Sequence, residues 1–301
     1  MTIASFEPAR SEPPTCLGPV ARPTPPRIRA PRGSWDTHFH IFGPPERFPY
    51  YSERKYTPPT ATLESFQALC DLLGIERGVC VQPNLHGADN SVTLDCVERS
   101  DGRFLAIVKV ENSVTFPELK QLHRRGARGV RFAFNPEHGG EFDSELFRQV
   151  CLWAGDLGWC VDLHLAPSDL GPLCDVISRA GANVVIDHMA RVNPVLGLQQ
   201  QPFRELIELV SYDHVWVKMS GADRITKEGP PYMDVKPFAR ALIEASPQRV
   251  IWGSDWPHSA YFDSARVPDD GKLLDFLIDA VPTDLQQKQI LIDNPRRLFG
   301  G

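Results

Sequence analysis

The most constraining feature of this sequence is a repeated alternation of short apolar segments with amphipathic stretches, which begins at Ser34. Short runs rich in β-branched residues are typical of buried strands, and apolar residues at helical spacing predict the helices between them. Strands that alternate with helices pair in parallel through crossover helices. We count eight such units, and eight strands close a barrel, whereas an open doubly wound sheet more often has about five to seven. The sequence therefore predicts an α/β chain with a single (β/α)8 TIM barrel.

The predicted elements cover most of the chain after residue 33. The predicted strands are 35–42, 78–82, 104–110, 129–134, 160–165, 183–189, 215–220 and 249–254. The predicted helices include 62–73, 117–125, 144–157, 169–180, 202–210, 236–245 and 272–280. Because no glycine-rich phosphate loop follows the first strand, we do not expect a nucleotide site.

The beginning of the chain has a different composition. Residues 1–33 contain eight prolines and little apolar periodicity. We expect residues 1–33 to be an extended or disordered arm, with an arm that packs on a neighbouring subunit as the alternative. Residues 34–301 are then the catalytic barrel domain.

Charge and composition restrict the class of protein. The chain has 38 acidic and 32 basic residues, a net charge of −6, so we predict no nucleic-acid partner. No apolar run approaches the ~20 residues that span a bilayer, and residues 1–33 lack the apolar core of a signal peptide. Seven cysteines without a CxxC pair are typical of reduced thiols. We therefore predict a cytoplasmic protein without a membrane partner, and a homo-oligomer is compatible with the sequence.

Ionisable side chains end four of the predicted strands. His38 and His40 end the first strand, His164 the fifth, His188 the sixth and Asp255 the eighth. Residues two apart on a strand point to the same side, and the active site of a (β/α)8 barrel lies at the carboxyl ends of its strands. Any one of these histidines could be a hydrogen-bonded core residue. Their coincidence at strand ends favours a catalytic site.

The same five residues suggest a metal. Imidazole nitrogen and carboxylate oxygen are ligands that Zn²⁺ and similar divalent metals take. We predict zinc or another divalent metal with ligands from His38, His40, His164, His188 and Asp255. A metal-free site stays open, because these side chains could polarise a carbonyl by hydrogen bonding alone.

A group of cationic residues suggests an anionic substrate. Arg128 and Arg131 lie in or beside the fourth strand, Arg191 follows the sixth and Arg224 the seventh. Guanidinium groups bind carboxylates and sulfonates through paired hydrogen bonds. Salt bridges in loops are the alternative for some of these arginines.

Loop residues add polar groups at the same predicted mouth. Asn84 and His86 follow the second strand in QPNLHGADN, and Tyr56 lies between the first strand and its helix. We include all three as candidate substrate-binding residues, although Tyr56 could equally anchor its loop.

Several motifs, taken in their order along the chain, resemble the motifs of one protein family. These are WDTHFHIFGP, VQPNLHGADN, RGVRFAF, IDHMAR, WGSDWPH, VPDDG and NPRRLFG. The chain resembles the amidohydrolase superfamily (amidohydrolase-related family 2), and within it the lactonase branch, over essentially everything after residue 33. The resemblance implies a hydrolase that opens the ester bond of a small anionic lactone from the catabolism of aromatic compounds.

The resemblance also implies roles for individual residues. Asp255 is expected to be the general base that activates water, and His38, His40 and His188 to surround the scissile carbonyl. Substrate anions are expected to bind Arg131, Arg191, Arg224, Tyr56 and Asn84.

Two departures from the branch bear on the substrate. The enzymes for 2-pyrone-4,6-dicarboxylate have tyrosine where this chain has His164, and a basic stretch where it has residues 135–137. The first change favours a metal and the second disfavours a dicarboxylate, so we prefer a 4-sulfomuconolactone-like substrate, with 2-pyrone-4,6-dicarboxylate next. The alternatives are a sugar-acid lactone hydrolase or isomerase, a decarboxylase on the same scaffold, and a non-catalytic binding protein.

Overall fold

Eight parallel strands form the centre of the molecule, in a computed structural model that describes residues 12–133 and 142–300. The strands are β1 (Trp35–Phe39), β2 (Arg77–Val81), β3 (Phe104–Val108), β4 (Ala127–Ala133), β5 (Cys160–His164), β6 (Asn183–Ile186), β7 (Val215–Met219) and β8 (Val250–Trp252). Each strand pairs with the next along the chain. A parallel bridge between Phe39 and Trp256 brings β1 against the segment that follows β8. The prediction of a (β/α)8 barrel is confirmed.

Helices separate consecutive strands along the chain, and three more follow β8. They are α1 (Leu63–Leu73), α2 (Ser91–Glu98), α3 (Phe116–Arg124), α4 (Ser144–Leu157), α5 (Leu170–Ser178), α6 (Gln201–Leu209), α7 (Ala222–Ile225), α8 (Lys236–Ala245), α9 (Asp270–Ala280), α10 (Asp284–Lys288) and α11 (Asn294–Phe299). Side-chain caps begin several of them: the Asp143 carboxylate accepts from two backbone amides of α4. Within the described residues, none of these helices has the length and apolarity needed to cross a membrane.

The lower half of the barrel interior is apolar. Alternate strand residues point inward, as the period of two requires. Together with the last helix they form a buried cluster, here called the lower lumen core: Trp35, Val79, Val81, Ile107, Cys160, Val185, Trp216, Ile251, Leu298 and Phe299. A larger apolar core lies between the strands and the surrounding helices.

A bulge in β1 turns the two histidines inward. Asp36 pairs with Gly78 but Phe39 pairs with Cys80, so β1 has one residue more than β2 over this step. Trp35 points into the lower lumen core, whereas Phe39 stacks outside on Phe66 of α1. His38 and His40, on either side of Phe39, therefore point into the barrel.

Asp36 and a glycine hold this arrangement in place. The Asp36 carboxylate accepts from the backbone amides of His38 and Ser254, both at 3.0 Å, and so connects β1 to the loop after β8. Gly253 lies where a Cβ would come within 2.6 Å of the His38 Cβ. Only glycine at 253 leaves space for the inward-facing His38.

The described part of the proline-rich arm lies on its own barrel. The backbone amide of Cys16 donates to Thr57, and that of Leu17 donates to Tyr261. Further along, Thr24 donates to the Asp269 carboxylate at 2.8 Å, and Arg27 pairs with Asp275 and Asp279. Residues 12–33 thus follow an extended path that ends where β1 begins.

Candidate active site

A cavity of about 190 Å³ lies at the carboxyl ends of the strands. Its wall contains nine of the predicted site residues: His40, Tyr56, Asn84, Arg131, His164, His188, Arg191, Arg224 and Asp255. Pro83, Ser259 and Ala260 complete the lining. His38 is fully buried directly beneath, with its ring centroid 4.9 Å from that of His40 and 4.7 Å from that of His188.

One carboxylate oxygen is the centre of the site. Asp255 Oδ1 lies 3.7 Å from His38 Nε2, 3.5 Å from His40 Nε2 and 4.0 Å from His188 Nε2. The two Nε2 atoms of His38 and His40 are 3.3 Å apart. Two ligand atoms about 2 Å from a tetrahedral ion lie ~3.3 Å from each other, so this geometry fits one metal ion. We call His38, His40 and Asp255 the outer grouping.

The other ring nitrogen of each imidazole is held away from this centre. His40 Nδ1 donates to the Val81 carbonyl at 2.7 Å, so its Nε2 carries a lone pair. His188 Nδ1 is 2.8 Å from Ser220 Oγ, and His38 Nδ1 is 3.2 Å from the Asp187 carboxylate. Such partners orient metal-binding histidines in proteins and fix their tautomer. The residues present therefore suit a divalent cation.

Arg224 holds the Asp255 carboxylate in place. Its Nε and one terminal nitrogen both lie 3.0 Å from Asp255 Oδ2, and the other donates to the Ser259 carbonyl at 2.8 Å. The guanidinium group also packs on the Tyr261 ring, 4.6 Å from its centroid. These contacts engage all three of its nitrogens, so Arg224 positions Asp255. Arg224 also lines the cavity, and its binding of substrate stays a prediction.

The protonation states follow from burial and neighbouring charge. Burial lowers the pKa of His38 and His164 well below the ordinary value, and that of His188 to about 4. Burial alone would raise the pKa of Asp255, but Arg224 and His188 hold it well below its usual range. At neutral pH His38, His164 and His188 are therefore neutral, and Asp255 is ionised.

The chain takes an unusual path after β6. His188, Met189, Ala190 and Arg191 all have φ between 50° and 53°, a left-handed turn without any glycine. Left-handed conformation costs about 1–2 kcal/mol per residue for side chains with a Cβ. This turn brings both His188 and Arg191 to the cavity wall, so backbone strain is concentrated at the site.

Comparison with known proteins identifies the family. The sequence profile described as Amidohydrolase matches residues 35–301. This chain belongs to the amidohydrolase family. It is 54% identical over 288 residues to the 4-sulfomuconolactone hydrolase of Hydrogenophaga intermedia, with 95% of each chain covered. It is also 38% identical over 288 residues to the 2-pyrone-4,6-dicarboxylate hydrolase of Comamonas testosteroni, with 93% of this chain and 94% of that one covered.

A solved structure has the same architecture as this amidohydrolase. It is the crystal structure of a probable 2-pyrone-4,6-dicarboxylic acid hydrolase from Acinetobacter baumannii with citric acid bound. The TM-score is 0.76 at 27% identity, and 89% of this chain and 100% of that chain are covered. The barrel architecture is therefore shared with this solved structure.

A charged layer that we did not predict supports the amidohydrolase site from below. Lys218 of β7 is fully buried, with Nζ 2.6 Å from the Asp162 carboxylate and 3.0 Å from that of Asp187. Arg131 reaches Asp187 from the other side at 3.4 Å. We call Arg131, Asp162, Asp187 and Lys218 the upper lumen layer. Burial lowers the pKa of Lys218, but the two carboxylates outweigh it and raise the pKa above the ordinary value.

Two predicted residues lie outside the cavity wall, and a third lines it without joining a metal grouping. Arg128 is near the beginning of β4, where it donates to the carbonyls of His123 and Ala127, so it is not at the cavity. His86 lines an adjoining cavity of about 580 Å³ and contacts the Pro49 carbonyl. His164 is in the cavity wall, 5.8 Å from His188 between ring centroids, but within the described residues it belongs to neither grouping able to hold a metal. Residues 135–137 lie outside the described residues.

Proposed function

We propose that this amidohydrolase opens the ester bond of a small anionic lactone, a 4-sulfomuconolactone-like compound first and 2-pyrone-4,6-dicarboxylate next. The observation that carries the proposal is the single oxygen, Asp255 Oδ1, that faces the Nε2 atoms of His38, His40 and His188 beside an open cavity. The names of the two similar hydrolases support the substrate class, and their 54% and 38% identities support this order.

Zinc or a similar divalent cation fits the outer grouping together with His188. When bound there, it would polarise the lactone carbonyl and lower the pKa of a coordinated water towards ~7. Three ligands from among His38, His40, His188 and Asp255 would hold it, which leaves the fourth tetrahedral position to the water. A low pKa makes Asp255 a weak base, so it needs a water that is already acidic. This favours the metal-assisted reaction over the metal-free one.

Asp255 moves the proton in this proposal. It accepts a proton from the attacking water on Oδ1, while Arg224 keeps Oδ2 in position. Attack on the carbonyl forms a new C–O bond, and the ring C–O bond then breaks. Asp255 returns the proton to the departing ring oxygen, which becomes the hydroxyl or enol of the opened product.

The other polar residues of the cavity wall would bind the acidic groups of the substrate. Arg131 and Arg191 are the cations that line the cavity besides Arg224. The Tyr56 and Ser259 hydroxyls, 2.8 Å apart, also line the cavity and offer hydrogen bonds. Asn84 Oδ1 is buried without a hydrogen-bond partner among the described residues, so a ligand hydroxyl or water would satisfy it.

The test is a spectrophotometric screen of carboxylated and sulfonated lactones with purified protein. We expect hydrolysis of at least one muconolactone or pyrone, and loss of 10²-fold or more in turnover for Asp255→Asn. Asp213→Asn is the matched control, because the Asp213 side chain is 98% exposed. Turnover of sugar-acid lactones alone, release of CO₂, or an unchanged rate in Asp255→Asn would contradict the proposal.

Two finer points complete the proposal. The metal would be zinc or another divalent cation, and the protein would act in the cytoplasm, where its seven cysteines remain thiols. Removal of metal with a chelator should abolish hydrolysis, and zinc should restore it. Cell fractionation checks the location.

A further inference from the structure

A second group of potential metal ligands lies next to the first. His38, Asp187 and His188 place one ligand atom each within 4.8 Å of one another, and all three are buried. We call them the inner grouping. It shares His38 with the outer grouping, so the site has ligands for a cation on each side of one imidazole ring.

A cation of the protein itself already lies at the inner grouping. Lys218 Nζ is 3.0 Å from His38 Nδ1 and 3.0 Å from Asp187 Oδ1. Its third contact is Asp162, at 2.6 Å. Lys218, Asp162 and Asp187 are all completely buried, so this ammonium group cannot move aside into water.

The formal charges also argue against a second metal ion at the inner grouping. The upper lumen layer has two carboxylates, Asp162 and Asp187, and two cations, Lys218 and Arg131. Its charges cancel. A buried ion is stable only when it is paired, and a further divalent ion in this layer would add two positive charges without a carboxylate left to balance them.

We propose that the ammonium group of Lys218 occupies the place of a second metal ion at the inner grouping, so that the site binds one divalent cation per chain, at the outer grouping. The inference rests on the proposed function, because it concerns the cation that assists lactone hydrolysis.

The experiment is a titration of the metal-free full chain with zinc alone, followed by measurement of zinc per chain after removal of free metal. We expect one zinc for the wild type. Lys218→Met removes the cation while keeping a similar length, and leaves Asp162 and Asp187 with one balancing charge fewer. We expect this variant to bind two zinc ions, and Lys218→Arg to bind one.

Loss of a buried partner destabilises, so folding is controlled separately. Asn294, completely buried at the other end of the barrel, donates to the carbonyls of Pro247 and Val250. Asn294→Ala should lower the unfolding temperature and still bind one zinc. If Lys218→Met fails to fold, the wild-type and Lys218→Arg values still test the inference.

The outcomes separate this inference from the proposed function. Two zinc ions in the wild type, or an unchanged single ion in a folded Lys218→Met protein, would overturn the inference whether or not lactones are hydrolysed. One zinc in the wild type and a second in Lys218→Met, with no hydrolysis of any lactone, would support the inference and overturn the proposed function.

Discussion

The two halves of the barrel interior are built from the same strands but have opposite chemistry. In the lower half, Cys160, Val185 and Trp216 belong to an apolar cluster. Two residues further along each strand, on the same inward side, are Asp162, Asp187 and Lys218. Removing apolar surface from water stabilises the lower half, whereas the upper half contains charges whose burial is costly unless they are paired. The comparison indicates that the lower half of the barrel interior stabilises the fold and that the upper half carries the catalytic residues.

Backbone strain divides the molecule in the same way. In the described part of the chain, nine non-glycine residues have positive φ, and seven of them are at the mouth: His188, Met189, Ala190, Arg191, Asp255, His258 and Ala260. Strained conformations persist when the surrounding structure determines them, and they cluster at functional sites. The apolar lower half therefore stabilises the fold and so holds the upper half in its strained conformation.

The largest effect is expected from a change in the upper half that preserves the backbone. Asparagine tolerates the left-handed conformation of position 188, so His188→Asn should fold normally. Loss of the Nε2 atom that faces Asp255 should lower kcat/KM by about 10²–10⁴-fold. Lactone hydrolysis and thermal unfolding measure the two quantities. Full activity in a folded His188→Asn protein would show that His188 takes no part in the reaction.

A substitution in the lower half should instead lower the stability of the protein and leave its rate of hydrolysis unchanged. Ile251 is completely buried in the lower lumen core. Ile251→Ala should reduce the free energy of unfolding by about 2–5 kcal/mol, and Ile251→Val by about 0.5–1.5 kcal/mol. Urea unfolding measures this loss. The rate per folded molecule should be unchanged, and a fall in that rate would show that the two halves are coupled.

Arg224 allows a test within the upper half. Arg224→Met removes the cation that lowers the pKa of Asp255, so that pKa should rise. Activity should then fall about tenfold, the size of one lost charge-assisted contact, and should decline at higher pH than in the wild type. Profiles of kcat/KM against pH check this. A large rise in KM with unchanged kcat would instead show that Arg224 binds substrate.

The pH dependence of the wild type should be shallow on the acid side. His188 has its pKa lowered to about 4, mainly by burial, so it gains a proton only as the pH falls towards that value. Activity should therefore be nearly constant from pH 7 to about 5 and decline below. A decline centred near 6.5, the ordinary value for histidine, would show that the imidazoles are not shielded from water.

The smallest expected effect comes from relieving backbone strain in the left-handed turn after β6. Ala190 is fully buried with φ 52°. Ala190→Gly relieves left-handed strain of about 1–2 kcal/mol, but it loses one buried methyl group worth about 0.8 kcal/mol. A net stabilisation of no more than about 1 kcal/mol is expected in urea unfolding. A clear destabilisation would mean that the turn is not strained.

Much of the fold and the outline of the site were predictable from the sequence. All eight strands were predicted, because buried parallel strands are runs of apolar residues whose number and order determine a barrel. Nine predicted residues line the cavity because a barrel brings the carboxyl ends of its strands together. Helix α2 was missed, since SVTLDCVE is short and has a weak amphipathic pattern.

The rest depended on contacts between distant segments. Lys218 lies in VWVKM, where a lysine within a buried strand was the available signal, but its partners are on β5 and after β6. The left-handed turn contains no glycine that would have marked it. The hydrogen bonds of Arg224 to Asp255 and Ser259 could not be predicted, because these residues lie more than 30 positions further along the chain.

The path of the arm has a practical consequence for anyone who shortens or tags this protein. Cys16 and Leu17 pair with Thr57 and Tyr261, which adjoin the cavity residues Tyr56 and Ala260. An expression boundary drawn at Ser34 would keep every catalytic side chain and yet remove three backbone hydrogen bonds to Thr57 and Tyr261 at the rim of the pocket. Cloning should start upstream of residue 12, and affinity handles belong at the opposite terminus.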